Sequence, residues 1–567
     1  MHFVKKQPTT EEEKAVKAKE RAVKLKAFIT LRDRIFENRE ADKKDEEQLQ
    51  QIATVLAKNP DIYTFWNIRR EVLIYLEAKI NKECPEQSVD KISRLLDDEL
   101  GLTRLCLESN PKSYSAWHHR GWALARHPKP NFEADLKLCE KALQMDCRNF
   151  HCWDHRRYVA SLVKLSMDEE LEFSNRMISQ NFSNFSAWHY RGTLFLRKAA
   201  MLGKANELGV ELVKNELKKV TNAFYTDPAD QSAWIYGQFL AAHIEPSSQR
   251  NTEEILSMSF KNGVATIVFN RAQTLEAMKS RVFADENATW EPISTINSRC
   301  TSAKIWRIKT SSFRLNKPIT ETNLIPNSFV NRASVEDYFY MREPTEIDTL
   351  NESIEHIQEL LKEEKESVWG LLTLTFYLLR TKPVKCRDLI LKNLDALCHL
   401  DQNRKNAYLA IMNRILISAK LEEIDEGKSR FDNLIETGSF SIRDAKIISI
   451  ECLWPLAGVL TDLDVSSNKL KTLESFSLFP LLTHITATGN PILSISNRLN
   501  LPSIEFLSVA QTPLYDLESV KRFLGKIVKT KKKLRLLFAE TPLSDQSKEL
   551  FEVVKDEENI RLIPYWL

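Results

Sequence analysis

The sequence predicts a mainly α protein: a right-handed α-α superhelix of helical hairpin repeats, interrupted by a small immunoglobulin-like β-sandwich and ending in leucine-rich repeats. Three observations carry this expectation. A tryptophan-centred segment recurs five times between residues 59 and 237, the apolar period shortens to two after residue 248, and from residue 442 a leucine-rich pattern returns every 22 residues. Glycine, at 13 of 567 residues, lies far below the usual ~7%, which suits a helical chain.

The best-formed copy reads Asn110-Pro111-Lys112-Ser113-Tyr114-Ser115-Ala116-Trp117-His118-His119-Arg120. Aligned on tryptophan, the others are 59–69 around Trp66, 146–156 around Trp153, 181–191 around Trp188 and 227–237 around Trp234. Seven residues before Trp stands Asn or Asp in every copy. Four residues before it stand Ile62, Ser113, Asn149, Asn184 and Asp230, so four copies carry an N-cap residue type and a helix should start just after that column. Arg69, Arg120, Arg156 and Arg191 follow their tryptophans by one helical turn, and the tryptophans and arginines are expected to pack between helices. Gly237 replaces the arginine in the fifth copy, as in a terminal repeat. Phe132, Leu136, Cys139 and Leu143 form the apolar face of an intervening helix. Stacked hairpins would form a curved layer whose concave side cradles a partner.

Charge excludes some functions. Lys plus Arg (81) nearly balances Asp plus Glu (78), so no whole-chain charge points to nucleic acid or a membrane surface. No apolar run reaches the roughly 18 residues of a span, the N-terminus is charged, and the nine cysteines form no CxxC pair. A cytoplasmic protein with reduced thiols is expected.

In chain order, residues 1–247 are predicted as helical repeats, opening with one long helix over 11–48 whose Val16, Leu25, Phe28, Leu31 and Ile35 lie at helical spacings and whose charges are solvated. Residues 248–345 are the β insertion. Met258 and Phe260, then Asn262-Gly263, then Ala265, Ile267 and Phe269 mark a hairpin, while Ile305 to Ile308 and Tyr338-Phe339-Tyr340 read as further strands. Residues 346–441 resume the helical layer, with Asp401 seven residues before Tyr408 as a decayed repeat. Residues 442–567 are the leucine-rich part: Leu460, Leu463, Val465, Asn468 and Leu470 recur as Leu482, Ile485, Ala487, Asn490 and Ile492, then as Ile504, Leu507, Val509, Thr512 and Leu514, with a looser fourth repeat from Leu534. The asparagines should bond turn backbone. The basic residues Lys529, Lys531, Lys532 and Lys533 are expected to be solvated.

The pattern N-x-K-x-Y-x-x-W-x-x-R at 110–120, together with Asn149-Phe150-His151-Cys152-Trp153-Asp154-His155-Arg156-Arg157, resembles the repeats of protein prenyltransferase α subunits. The order of repeats, β insertion and leucine-rich tail is similar to the Rab geranylgeranyltransferase (type II) branch of that family. The resemblance implies a heterodimer whose separate β subunit holds the zinc and most of the lipid pocket. It implies transfer of a geranylgeranyl group from geranylgeranyl diphosphate to C-terminal cysteines of Rab GTPases presented by a Rab escort protein. Carried over by position, Lys112 resembles the lysine that contacts the lipid diphosphate, Tyr114 the tyrosine of the same loop, and His151 the polar residue facing the active site. The chemistry agrees, because ionisation of an allylic diphosphate builds negative charge that a lysine at a helix N-terminus can meet.

Other readings stay open. Cys147, His151, Cys152 and His155 could suggest a metal cluster, although a helix beginning at Asn149 would spread them over different faces. Helical arrays and leucine-rich repeats also serve as non-catalytic scaffolds. No metal site is expected in this chain, but His2, on a flexible N-terminal tether, could reach a zinc site on the partner subunit and plug the position the substrate thiol needs. The insertion and the tail are expected to be dispensable for chemistry.

Overall fold

The structure, a computed structural model, describes residues 11–204, 207–244, 254–294, 302–315, 328–340, 348–425, 427–530 and 532–565. His2, Cys300 and Lys531 lie outside the described residues. The chain divides into two compact units, Met1–Leu208 with Asp230–Tyr236, and Gly209–Ala229 with Gly237–Leu567. It is mainly helical, with repeated helical hairpins and some strands.

The first unit contains α1 (Glu11–Glu40), α2 (Glu46–Leu56), α3 (Tyr63–Glu83), α4 (Ser88–Ser109), α5 (Tyr114–Arg126), α6 (Phe132–Met145), α7 (Phe150–Val163), α8 (Met167–Gln180) and α9 (Phe185–Met201). The predicted helix over 11–48 is two helices. Asp42 takes a left-handed φ of 52°, and the Asp45 side chain accepts from the Gln48 amide to start α2. The expected apolar stripe of α1 is buried only at Ile35, while Val16 and Leu25 are exposed.

Tryptophan helices alternate with partner helices: α4 packs on α5, α6 on α7, and α8 on α9. Ser113, Asn149 and Asn184 cap α5, α7 and α9, accepting from the third helical amide, whereas Ile62 gives α3 no side-chain cap. All five repeat tryptophans are buried.

The second unit begins with α10 (Val210–Thr226), and α11 (Gln231–Ala242) follows in the chain. The insertion contains β1 (Ile255–Lys261), β2 (Val264–Thr274), α12 (Leu275–Arg281), β3 (Val282–Ala284), β4 (Thr289–Ile293), β5 (Ser302–Lys309), β6 (Phe313–Leu315), β7 (Ser328–Val330) and α13 (Arg332–Phe339). Its five-stranded sheet runs β4-β5-β2-β1-β7, all antiparallel, beside a separate β3-β6 pair. The β1-β2 turn has positive φ at both Asn262 (53°) and Gly263 (72°), the demand of a two-residue primed turn that Asn-Gly meets at low strain. Tyr338 to Tyr340 is not a strand: α13 runs to Phe339. The Asn331 side chain caps this helix, and Val335 and Phe339, four residues apart, share its buried face; helical burial overrides aromatic β-propensity there.

Next come α14 (Asn351–Glu363), α15 (Val368–Thr381), α16 (Arg387–Leu400), α17 (Lys405–Glu422), the short pair β8 (Ile424–Asp425) and β9 (Lys428–Ser429), and α18 (Arg430–Thr437). Beyond them, β10 (Ser439–Ser441), β11 (Asp462–Asp464), β12 (His484–Thr486), β13 (Phe506–Ser508), β14 (Leu534–Leu537) and β15 (Ile560–Ile563) form one parallel sheet in chain order, flanked by α19 (Leu517–Lys529) and α20 (Ser547–Val553). Asn468 accepts from the Ala445 and Ile447 amides and donates to the Ile442 and Val465 carbonyls; Asn490 accepts from the Leu470 amide and donates to Val465 and Ala487. Each asparagine therefore staples one coil to the coil before it.

The core of this tail does not stop at the tail. Ile417 and Leu421 of α17, Phe431 and Leu434 of α18, and Leu256, Val268 and Ile305 of the antiparallel sheet belong to the same buried apolar cluster as the coils. Ser257 Oγ donates to the Pro455 carbonyl (2.6 Å) and accepts from the Gly458 amide (3.1 Å). A Cβ on Gly458 would come within 2.7 Å of the β1 backbone, so only glycine permits this approach.

Candidate functional site

Every column of the repeat has a local job. The Asn or Asp seven residues before Trp accepts from the amide two residues on: Asp61, Lys112, Arg148, Ser183 and Ala229 donate to Asn59, Asn110, Asp146, Asn181 and Asp227. The indole N–H donates to the carbonyl six residues back, as Trp66 does to Pro60, Trp117 to Pro111, Trp153 to Cys147 and Trp188 to Phe182. The cap residues link neighbouring loops, Ser113 Oγ to the Pro60 carbonyl (3.3 Å) and Asn149 Nδ2 to the Pro111 carbonyl (2.9 Å). The loop carrying Lys112 is thus held at both ends.

With its amide used in the turn, Lys112 projects its side chain outward, where Nζ lies 3.3 Å from Asp146 Oδ2 of the next loop. Tyr114, the first residue of α5, is exposed. His151, in the first turn of α7, is only 7% exposed, and its ring stands edge-on to Tyr114 with centroids 4.0 Å apart and against Phe150 at 3.9 Å. Burial pushes the imidazole below its ordinary pKa; Asp154 opposes that and the Lys112 charge adds to it, so His151 is neutral near pH 7. Three residues chosen from two separate repeat copies therefore meet at one edge. Arg148 occupies the place in the 146–156 loop that Lys112 has in its own.

The proposed cysteine and histidine cluster does not converge. His155 Nε2 is 3.0 Å from Asp135 Oδ1, and the Cys152 thiol lies 3.4 Å from the Cys139 carbonyl. Among the described residues no group of three or more His, Cys, Asp or Glu could hold a metal ion. All eight described cysteines are free thiols, and no helix among the described residues is long and apolar enough to cross a membrane.

Sequence reasoning missed a buried polar ladder. Arg69 pairs with Glu99 (2.5 Å) and Glu99 with His119 (3.0 Å); Arg120 pairs with Asp135 (2.8 Å) and Asp135 with His155; Arg156 pairs with Glu170 (2.5 Å) and Glu170 with Tyr190 (2.7 Å). Each acid on a partner helix thus joins the arginine of one tryptophan helix to the ring two residues after the next tryptophan. Arg70 Nε donates to His119 Nδ1 (3.3 Å), leaving Nε2 to carry the proton that Glu99 accepts. Burial is the largest influence on Glu99 and raises its pKa, but the His119 hydrogen bond and the Arg69 charge outweigh it and hold the carboxyl below the usual range. A second missed feature is the residue three before Trp, which is aromatic and outward-facing in four copies: Tyr63 (56% exposed), Tyr114 (69%), Phe150 (52%) and Phe185 (37%).

Comparison with known proteins gives this repeat its lineage. Residues 96–127, 132–162 and 167–198 match the family model described as "Protein prenyltransferase alpha subunit repeat". The chain is 31% identical over 542 residues to the geranylgeranyl transferase type-2 subunit alpha of Sus scrofa, covering 91% of this chain and 92% of that protein, and 30% identical over 539 residues, with the same coverage, to the Homo sapiens protein of that name. The Schizosaccharomyces pombe protein of that name is 34% identical over 256 residues, covering 44% of this chain and 73% of the relative. The three matched stretches hold Lys112, Tyr114, His151 and the acids Glu99, Asp135 and Glu170 of the ladder, and with these relatives at 30–31% identity over 91% of its length the chain belongs to the protein prenyltransferase α-subunit family, among the geranylgeranyl transferase type-2 α subunits.

Proposed function

We propose that this chain is the α subunit of a heterodimeric protein geranylgeranyltransferase of type II, which transfers the lipid of geranylgeranyl diphosphate to C-terminal cysteines of Rab GTPases presented by an escort protein. The meeting of Lys112, Tyr114 and His151 at one exposed edge carries this reading. Family membership supports the reaction class, and the aromatic row of Tyr63, Tyr114, Phe150 and Phe185 suits a surface that a β subunit covers. In this reading the helical hairpins form a right-handed superhelix around that subunit, 248–345 is an immunoglobulin-like insertion, 442–567 is a leucine-rich-repeat domain, and the protein is cytoplasmic. The described residues do not fit a zinc site; the family resemblance assigns the zinc to the β subunit.

In the reaction the C1–O bond of the lipid diphosphate breaks, its electron pair stays on the departing diphosphate, and C1 bonds to the cysteine sulfur, whose proton passes to solvent. This chain's share is electrostatic. Lys112 meets the charge that builds on the leaving group, and the free amides at the start of α5 add the positive end of a helix dipole. Tyr114 offers a phenolic O–H to the same oxygens, while the neutral ring of His151 fixes the tyrosine's orientation without adding a second full charge. The test is reconstitution with a prenyltransferase β subunit and a lipid-transfer assay on a Rab substrate, with and without escort protein. Transfer that needs both subunits supports the reading; failure to pair with any such subunit would favour a non-catalytic scaffold.

A further inference from the structure

A cavity of about 500 Å³ lies within the second unit, between the β1-β2 hairpin with β5 on one side and the edge of the parallel coils on the other. Val459, Leu481 and Ser503, at 22-residue intervals, take equivalent places on three successive coils, so its floor repeats at the strand spacing of about 4.8 Å and is an elongated groove. The walls are cationic: Lys261 and Arg307 stand on the insertion, Lys532 and Lys533 on the tail, and Glu505 is the only acidic residue among the described lining. Lys532 is half-buried and donates to the Pro502 carbonyl. Burial first, then the charges of Arg307 and Lys309, hold its ammonium below the ordinary value, which places cations of both walls within electrostatic reach of one another. Arg307 has one carboxylate partner, Glu291 at 3.4 Å, outside the groove lining. Ser259, also in the lining, is 9% exposed, and its Oγ has no hydrogen-bond partner among the described residues.

Crowded, partly desolvated like charges are unfavourable until an anion sits among them, and an unbonded buried hydroxyl asks for a polar partner. A bare phosphate would satisfy the walls but leave the half-buried apolar part of the lining, Leu481, Pro502 and Val264, uncovered. An extended peptide satisfies both, because successive side chains point to opposite faces about 3.3 Å apart along the strand. We propose that this groove docks an acidic segment of a partner protein, a few extended residues in which Asp or Glu alternates with apolar side chains, its carboxylates held by Lys261, Arg307, Lys532 and Lys533 and a backbone carbonyl by Ser259. This surface is independent of the lipid-transfer reading.

The test uses the full chain, in the complex in which it is purified, and a fluorescein-labelled octapeptide of alternating Glu and Leu. Fluorescence anisotropy should show saturable binding that weakens with added salt, while an octapeptide of alternating Lys and Leu does not bind. Lys532→Glu with Lys533→Glu should weaken binding about tenfold or more. Lys261→Glu, at the exposed end of β1 on the opposite wall, should do so too and keeps the experiment decisive if the double variant folds poorly. Absence of saturable binding, or affinity that wall reversal leaves unchanged, overturns the proposal. So does tight binding of inositol hexakisphosphate at these lysines without binding of the peptide, which would make the groove a phosphate site.

Discussion

Tyr114 and His151, 37 residues apart and carried on different helical hairpins, stand edge-to-face with ring centroids 4.0 Å apart. The contact joins two loops whose backbones are already cross-linked through the Asn149 side chain and the Pro111 carbonyl. His151→Ala should therefore leave the fold standing, since the loop bond remains, but free the Tyr114 ring. The expected outcome is a several-fold fall in the transfer rate with lipid affinity changed less. An unchanged rate would remove Tyr114 orientation from the mechanism.

Trp153→Ala should act on stability. The indole is buried and donates to the Cys147 carbonyl, so its loss leaves a cavity and an unpaired carbonyl at a cost of about 3–5 kcal/mol. Thermal unfolding of the variant beside that of Lys112→Ala separates the roles: a large drop belongs to Trp153 and almost none to Lys112, whose side chain is mostly exposed.

The buried ladder makes the repeats acid-sensitive. Burial, opposed by Glu99 and aided by Arg70 and Arg69, holds His119 below its ordinary pKa of 6.5, and Glu99 is held below its own. Both folded values are depressed, so both groups bind protons more readily when unfolded. Their stabilisation is fully present above the unfolded values and is lost as pH falls, first below about 6.5 through His119 and then below about 4.3 through Glu99. Melting followed by tryptophan fluorescence should fall between pH 7.5 and 5.5, and Glu99→Gln at pH 7.5 should cost about 3–5 kcal/mol by leaving Arg69 buried without its charge partner. A flat profile over that interval would mean that the ladder does not control repeat stability.

Removing residues 442–567 alone should not give a soluble chain. The cut would uncover Ile417, Leu421, Phe431 and Leu434 together with Leu256 and Ile305, all packed into the cluster that the coils complete. Dispensability of the added parts for chemistry is tested properly by removing insertion and tail together with polar replacements at Ile417, Leu421, Phe431 and Leu434, which that cut would otherwise leave bare. A soluble, monodisperse protein truncated at 441 with the insertion kept would show that this shared core is not needed.

What could be read from the sequence was whatever is local. The Asx turn, the N-cap, the tryptophan and the arginine fall within eleven residues, and the first three are fixed by hydrogen bonds within that stretch, so alignment on Trp exposed the columns. Lys112, Tyr114 and His151 came from family resemblance, and it is the loop cross-link that accounts for their proximity. The acids were missed because they are far from their arginines by variable intervals of 30, 15 and 14 residues. A usable signal existed in the other direction, since Glu99, Asp135 and Glu170 each stand 20 residues before the ring they bond. Gln48 holds the same offset from Ile68, whose side chain offers no hydrogen bond, and its buried Oε1 has no partner among the described residues. The coils were legible from their 22-residue period, but β10 and β15 were not, because neither carries the full motif. Tyr338 to Tyr340 misled because aromatic strand propensity says nothing of the Asn331 cap upstream.

The most direct measurement is single-turnover geranylgeranyl transfer by the reconstituted heterodimer carrying Lys112→Ala, with saturating lipid and Rab substrate and with melting measured on the same sample. If Lys112 meets the charge on the departing diphosphate, the rate falls roughly 10²-fold or more while the melting temperature stays within about a degree of the unsubstituted protein. A single-turnover rate equal to that of the unsubstituted enzyme would contradict the assignment.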